Sequence, residues 1–229
     1  MCGIVGYTGG RKVKDLLLEG LRRLEYRGYD SAGMALQEKG RIEIYKRKGK
    51  IEELSKAVAE INFEAVTGIA HTRWATHGEP NEVNAHPHAG CKKAMVLVHN
   101  GIIENYRELK KFLISKGHVF VSDTDTEVLV HLFEEFYQGD LKEAVVKGLK
   151  LVEGAYGICV MHKDFPDTII GARKGSPLVL GIGENEHFLV SDVSAMVSYT
   201  RNVIYLEDGE MAVITPKEFK TFKIDSDAP

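Results

Sequence analysis

Residues 94–99 read Ala-Met-Val-Leu-Val-His, an almost continuous apolar run of strand length. A strand that is apolar on both sides has to be covered on both faces, so this segment asks for a layered fold. The rest of the chain supplies candidate layers. Short strand-like segments occur at 3–8, 32–37, 41–46 and 66–72, and again at 155–161, 168–173, 178–182, 187–191, 203–206, 210–214 and 218–224. Helical spacing links Val13, Leu16, Leu17, Leu21 and Leu24, extends over 51–60, and fills a central block at 104–116, 126–137 and 141–152. Thr124 with Glu127 has the form of a capping box at the second helix of that block, and Asp140 with Glu143 has the aspartate version at the third. Two sheets with helices packed outside them would accommodate this many strands, although periodicity alone leaves other α/β layerings open. No repeat, low-complexity stretch or Pro/Ser linker interrupts the chain before Ser226-Asp227-Ala228-Pro229. Residues 1–229 are therefore expected to form one domain, with those last four residues resembling the start of a linker.

Charge and cysteine usage narrow the function classes. With 30 Lys+Arg against 33 Asp+Glu, the net charge of -3 argues against a nucleic-acid-binding surface, which would show as a strongly basic domain. The one basic cluster, Lys46, Arg47, Lys48 and Lys50, reads as a solvated strand end. No apolar run approaches the ~20 residues needed to span a bilayer, and the N-terminus lacks the basic start and long apolar stretch of a signal peptide. Cys2, Cys91 and Cys159 are too few and too scattered for a disulfide framework, which points to free thiols in a reducing compartment, the cytoplasm.

One of those cysteines directly follows the initiator methionine. Removal of Met1 would leave on Cys2 both a thiol, with a reference pKa of about 8.5, and an α-amine at about 7.7–8.0. A nucleophile and its base would then share one residue, the amine taking the thiol proton directly or through a water and later returning it to a leaving group.

The chain begins MCGIVG and continues with LEYRGYDSAG at 24–33, HTRWATHGEP at 71–80, NAHPH at 84–88, VHNGIIEN at 98–105 and SDTDTEV at 122–128. Together these blocks resemble the glutaminase domain of the glutamine:fructose-6-phosphate amidotransferase (glucosamine-6-phosphate synthase) family, over essentially all 229 residues. The resemblance implies a class II glutamine amidotransferase of α+β class, a four-layer αββα sandwich of the N-terminal-nucleophile type. It implies hydrolysis of L-glutamine to glutamate and ammonia without a cofactor, and C-terminal sugar-isomerase domains as partners in a full-length enzyme. This chain stops where those domains would begin, so aminotransfer to a sugar is not expected of these residues alone.

Carried over residue by residue, the resemblance makes Cys2 the nucleophile and Asn100 with Gly101 the oxyanion hole. A side-chain amide plus the next backbone N–H can supply the two donors a tetrahedral intermediate needs, and glycine permits close backbone approach; alone, Asn-Gly would read as a hairpin turn. Arg73 matches the residue that grips the substrate α-carboxylate, a task suited to a planar bidentate cation. Asp125 matches the partner of the α-ammonium; an acid is also favoured at the first turn of a helix, and Asp123 is a conceivable substitute. Trp74, Thr76, His77 and Gly78 fall in the segment that covers bound glutamine. Arg27 is implied to lie near the nucleophile, where a cation favours thiolate; a structural contact to Asp30 competes with that reading.

His71, His77, His86, His88 and His99 crowd into 29 residues, but their spacings fit no zinc signature, and buried hydrogen-bonded histidines are expected in place of a metal site. Three further readings remain: the glutaminase domain of another class II amidotransferase such as one feeding a phosphoribosyl acceptor, a stand-alone glutaminase, and a non-catalytic glutamine sensor that keeps Arg73 and Asp125.

Overall fold

A computed structural model describes residues 2–225 as four layers, helices and sheet packed on sheet and helices. Met1 and residues 226–229, including the expected linker start, lie outside the described residues.

The first sheet contains β1 (Gly3–Thr8), β2 (Ser31–Glu38), β3 (Arg41–Lys48), β4 (Thr67–Arg73), β9 (Val179–Gly183), β10 (Glu186–Val190) and β11 (Asn202–Tyr205), in the order β11-β9-β10-β1-β4-β2-β3. The second contains β5 (His88–Ala89), β6 (Met95–Ile103), β7 (Gly154–His162), β8 (Ile169–Lys174), β12 (Glu210–Ile214) and β13 (Phe219–Lys223), in the order β13-β12-β8-β7-β6-β5. Neighbouring strands in both sheets run antiparallel. Helices α1 (Val13–Arg23) and α2 (Ile51–Val58) pack on the first sheet, and α3 (Tyr106–Ser115), α4 (Glu127–Phe136) and α5 (Leu141–Leu149) belong to the core of the second. Among the described residues no helix is long and apolar enough to cross a membrane.

Strand period explains the layers. On β6, Met95 and Leu97 join the helix-side core, whereas Val96 and Val98 join the core between the sheets. On β1, Val5 and Tyr7 face α1, and Ile4 faces the other sheet. Both faces of these strands are dry, so their sequences read as runs rather than as alternation.

One local expectation changes. The Thr124–Glu127 capping box does not form: α4 begins at Glu127, and the carboxylate of Glu127 instead accepts the Val121 and Ser122 N–H groups at 2.9 and 2.7 Å. A buried acid with two free acceptor atoms binds whichever donors the preceding loop presents, and here the loop reaches it before the cap can. Asp140 does cap α5, accepting the Glu143 N–H at 2.9 Å. Asn100-Gly101 is no hairpin turn, because β6 runs on through both and pairs them with Gly157 and Tyr156 of β7.

Candidate active site

Three strands end their inter-sheet stripes on polar residues at one end of the sandwich. Counting two residues on from the apolar positions, Ile4 leads back to Cys2 just before β1, Ile69 leads to His71 on β4, and Val98 leads to Asn100 on β6. The register places Ile4 opposite His71, and His71 Nε2 meets Asn100 Oδ1 across the sheets at 2.9 Å. The polar pair thus closes the apolar core exactly where the sulfur-bearing N-terminus arrives.

Burial pushes the His71 imidazole down to about 3, so it is neutral and donates its Nε2 proton to Asn100. That bond settles the orientation of the amide, whose Nδ2 donates to the Cys2 carbonyl at 3.2 Å and keeps a second proton for another acceptor. Gly101 follows at φ 129°, where a Cβ would sit 2.0 Å from the Ala155 carbonyl oxygen, so only glycine fits there.

Cys2 Sγ accepts the Trp74 N–H at 3.2 Å. Burial raises the Cys2 thiol above its ordinary value, against the opposing influence of that N–H and of the Arg73 charge. The thiol is therefore neutral at rest and needs a base to become a nucleophile. Cys2, Arg27, Trp74, Thr76, Asn100 and Gly101 share the wall of one cavity of about 460 Å3.

Arg73, at the end of β4, is buried and donates to the backbone carbonyls of His77, Gly78 and Glu79, the last two at 3.1 and 3.4 Å. Asp125 lies two residues before α4 rather than in its first turn; its carboxylate accepts the Ile103 N–H at 2.8 Å and lies 3.6 Å from His77 Nδ1. Residues 77–79 thus engage both Arg73 and Asp125, and the space between that pair is only about 30 Å3. Asp123, the conceivable substitute, is exposed, and its backbone N–H donates to Asn84 Oδ1 at 2.9 Å.

Arg27 does not pair with Asp30. Its Nη2 lies 2.5 Å from Asp192 and its Nη1 3.5 Å from the Cys2 carbonyl, an anchor for the backbone of the N-terminus. Asp30 instead accepts the Ala75 N–H at 2.6 Å and fixes the segment leaving Arg73. Sequence reasoning gives neither Asp30 nor His71 a place in the site, although both lie in its motif blocks, and the two-residue step from Ile69 points straight at His71.

His86, His88 and His99 of the crowded set are buried and neutral. His86 stacks on His71 with ring centroids 4.1 Å apart, His88 packs edge-on to His86 at 4.8 Å, and His99 Nδ1 bonds Thr126 Oγ1 at 2.8 Å. Burial holds His86, His88 and His99 below the usual imidazole value. Among the described residues, the His/Cys/carboxylate grouping close enough to hold a metal lies elsewhere.

A family model described as a glutamine amidotransferase domain matches residues 46–215. The chain belongs to the glutamine amidotransferase family. Over 226 residues it is 52% identical to a glutamine–fructose-6-phosphate aminotransferase (isomerizing) of Thermotoga maritima, covering 98% of this chain and 37% of that one. The Thermus thermophilus protein of the same name is 54% identical over 215 residues, covering 94% of this chain and 35% of its own length. The amidotransferase domain thus spans little more than a third of the curated relatives it matches. Among solved structures, a glutamine phosphoribosylpyrophosphate amidotransferase from B. subtilis superposes over 98% of this chain and 49% of its own, with TM-score 0.85 at 26% identity. The fold is that of the class II, N-terminal-nucleophile amidotransferases.

Proposed function

We propose that this domain hydrolyses L-glutamine to glutamate and ammonia through a thioester on Cys2, and that within a longer chain the ammonia serves glucosamine 6-phosphate formation from fructose 6-phosphate. The observation that carries the reading is the meeting of the Cys2 sulfur, the free proton of the Asn100 amide and Gly101 on one cavity. Once Met1 is removed, the α-amine of Cys2 takes the thiol proton as sulfur attacks the side-chain amide carbon. Asn100 Nδ2 and the Gly101 N–H face the oxygen that becomes negative. Collapse of the intermediate breaks the C–N bond, and the ammonium of Cys2 returns the proton to the departing ammonia. Water then attacks the thioester through a second oxyanion, releasing glutamate and restoring the thiol.

Arg73 takes the α-carboxylate and Asp125 the α-ammonium. Both are engaged by residues 77–79, so glutamine enters by displacing that segment, which with Trp74 and Thr76 then closes over it. Arg27 holds the nucleophile's backbone in place. The higher identity to the fructose-6-phosphate enzymes than to the phosphoribosyl enzyme supports a hexose phosphate acceptor, and the three free thiols support a reducing, cytoplasmic setting. Ammonia release from glutamine by the wild type and by Cys2→Ala tests the mechanism: the variant should be inactive, and equal rates would overturn it. Comparing this fragment with a longer chain, with and without fructose 6-phosphate, tests the acceptor; stimulation is expected in the longer chain alone.

A further inference from the structure

Further along α4 from Asp125, four side chains from three places in the sequence converge. Cys91 follows β5, His118 follows α3, and His131 and Glu134 lie one helical turn apart on α4. Their donor atoms all fall within 4.8 Å of one another. Cys91 Sγ lies 3.7 Å from His118 Nδ1 and 3.5 Å from His131 Nδ1; the two Nδ1 atoms are 3.2 Å apart; Glu134 Oε2 lies 3.6 Å from the first and 3.9 Å from the second. A tetrahedral zinc with bonds of about 2.0–2.3 Å to nitrogen, oxygen and sulfur has ligand–ligand edges of roughly 3.3–3.6 Å. Five of the six edges, at 3.2–3.9 Å, are close to those, and the sixth, between the sulfur and the Glu134 carboxylate, is within 4.8 Å.

The outer nitrogens supply an independent argument. His131 Nε2 faces Glu127 Oε1 at 3.4 Å, and His118 Nε2 faces Glu135 Oε2 at 3.2 Å. A carboxylate accepts a proton from each Nε2, which leaves both Nδ1 atoms as bare lone pairs pointing at each other, at a sulfur and at a third carboxylate. Such a gathering is held together either by a shared proton or by a bound cation, and the near-tetrahedral spacing favours the cation. A carboxylate behind each ligating imidazole is also the arrangement that fixes the tautomer at zinc sites. The sulfur accepts the Val119 N–H at 3.4 Å, and Glu134 accepts the Cys91 and Lys92 N–H groups at 2.8 and 2.9 Å, so the two anionic ligands are held in place by backbone. A cavity of about 480 Å3 lined by Cys91, Val119, Glu127 and His131 gives an ion a way in.

We propose that Cys91, His118, His131 and Glu134 form a structural zinc site, distinct from the glutamine site. The four protein ligands complete a tetrahedron and leave no open position for substrate, and the mixed S, N and O set suits zinc over magnesium or calcium. The ion would tie the loop after α3 and the strand end after β5 to α4. Glu127 carries that tie to Val121 and Ser122, whose N–H groups it accepts.

The test strips the folded protein with a chelator, then titrates Zn2+ against a chromophoric competitor and, separately, Co2+ followed by its absorption. One Zn2+ per chain is expected, and Co2+ should give a thiolate charge-transfer band with strong tetrahedral visible bands. That band should survive Cys2→Ser and disappear in Cys91→Ser and in His131→Gln. At a hundredfold excess over its Kd, Zn2+ should raise the wild-type Tm by roughly 5–10 °C, and should not do so in Cys91→Ser. Much less than one Zn2+ per wild-type chain, or a thiolate band unchanged by Cys91→Ser, would overturn the proposal without bearing on glutamine hydrolysis.

Discussion

Two regions of this molecule gather histidines, and they do opposite things with them. At the substrate end, His71, His86, His88 and His99 stack on each other or bond to Asn100 and Thr126, in a pocket that keeps them neutral. Behind α4, His118 and His131 hand their outer nitrogens to carboxylates and turn their inner nitrogens toward one another and a thiol. The first arrangement spends ring nitrogens on positioning other groups, with His71 Nδ1 left facing no partner, and the second turns two nitrogens toward a common point. A count of histidines does not separate the two; the partner of the second nitrogen does.

The largest expected break in this comparison comes at the substrate end. Asn100→Ala removes an oxyanion donor and should lower kcat for glutamine by about 10²–10³-fold. His71→Leu keeps Asn100 but frees its orientation, and should lower kcat by about tenfold or more with a smaller change in KM. The same kind of change behind α4, His118→Gln, should show first in metal content and Tm. If it lowers kcat as far as His71→Leu does, the two regions are not separate.

The next effect is in pH. A histidine whose folded pKa lies below its unfolded value leaves the unfolded chain holding more protons between the two, so stability rises with pH across that window. For His71 the window runs from the usual imidazole value down to about 3. Its contribution is complete above about pH 6.5 and falls by about 1.4 kcal/mol per pH unit below it. His86, His88 and His99 act in the same direction. Chemical denaturation from pH 7 to 4 should show steep loss of stability, reduced in His86→Phe; an unchanged slope in that variant would mean the cluster is solvated.

The smallest effect serves as the control. Asp140→Ala removes the one side-chain cap of α5 and should cost about 1 kcal/mol, with metal content and the pH slope unaltered.

Much of this architecture was legible in the chain. The dry run at 94–99 called for cover on both faces, and β6 has it; the strand and helix segments fall within a few residues of their expected ends. The candidate residues Cys2 and Asn100 were legible from motif blocks, and they also follow from period two, since each lies two residues beyond an inter-sheet apolar residue. Where a side chain had a choice of partners, the sequence could not choose. Glu127 took loop N–H groups instead of capping, and Arg27, which does reach the Cys2 carbonyl, found Asp192, 165 residues away, rather than the alternative Asp30. The α4 cluster is hidden because its four residues are spread over 91–134, outside the denser histidine run at 71–99; His131-x-x-Glu134 on one helix face is its local signal.

The most direct test of the central claim is the intact and peptide mass of protein quenched in acid during glutamine turnover. The account predicts a chain lacking Met1 and carrying a glutamyl group confined to the Cys2 peptide. A protein that turns over glutamine with Met1 still attached, or with the glutamyl group on another residue, would contradict it.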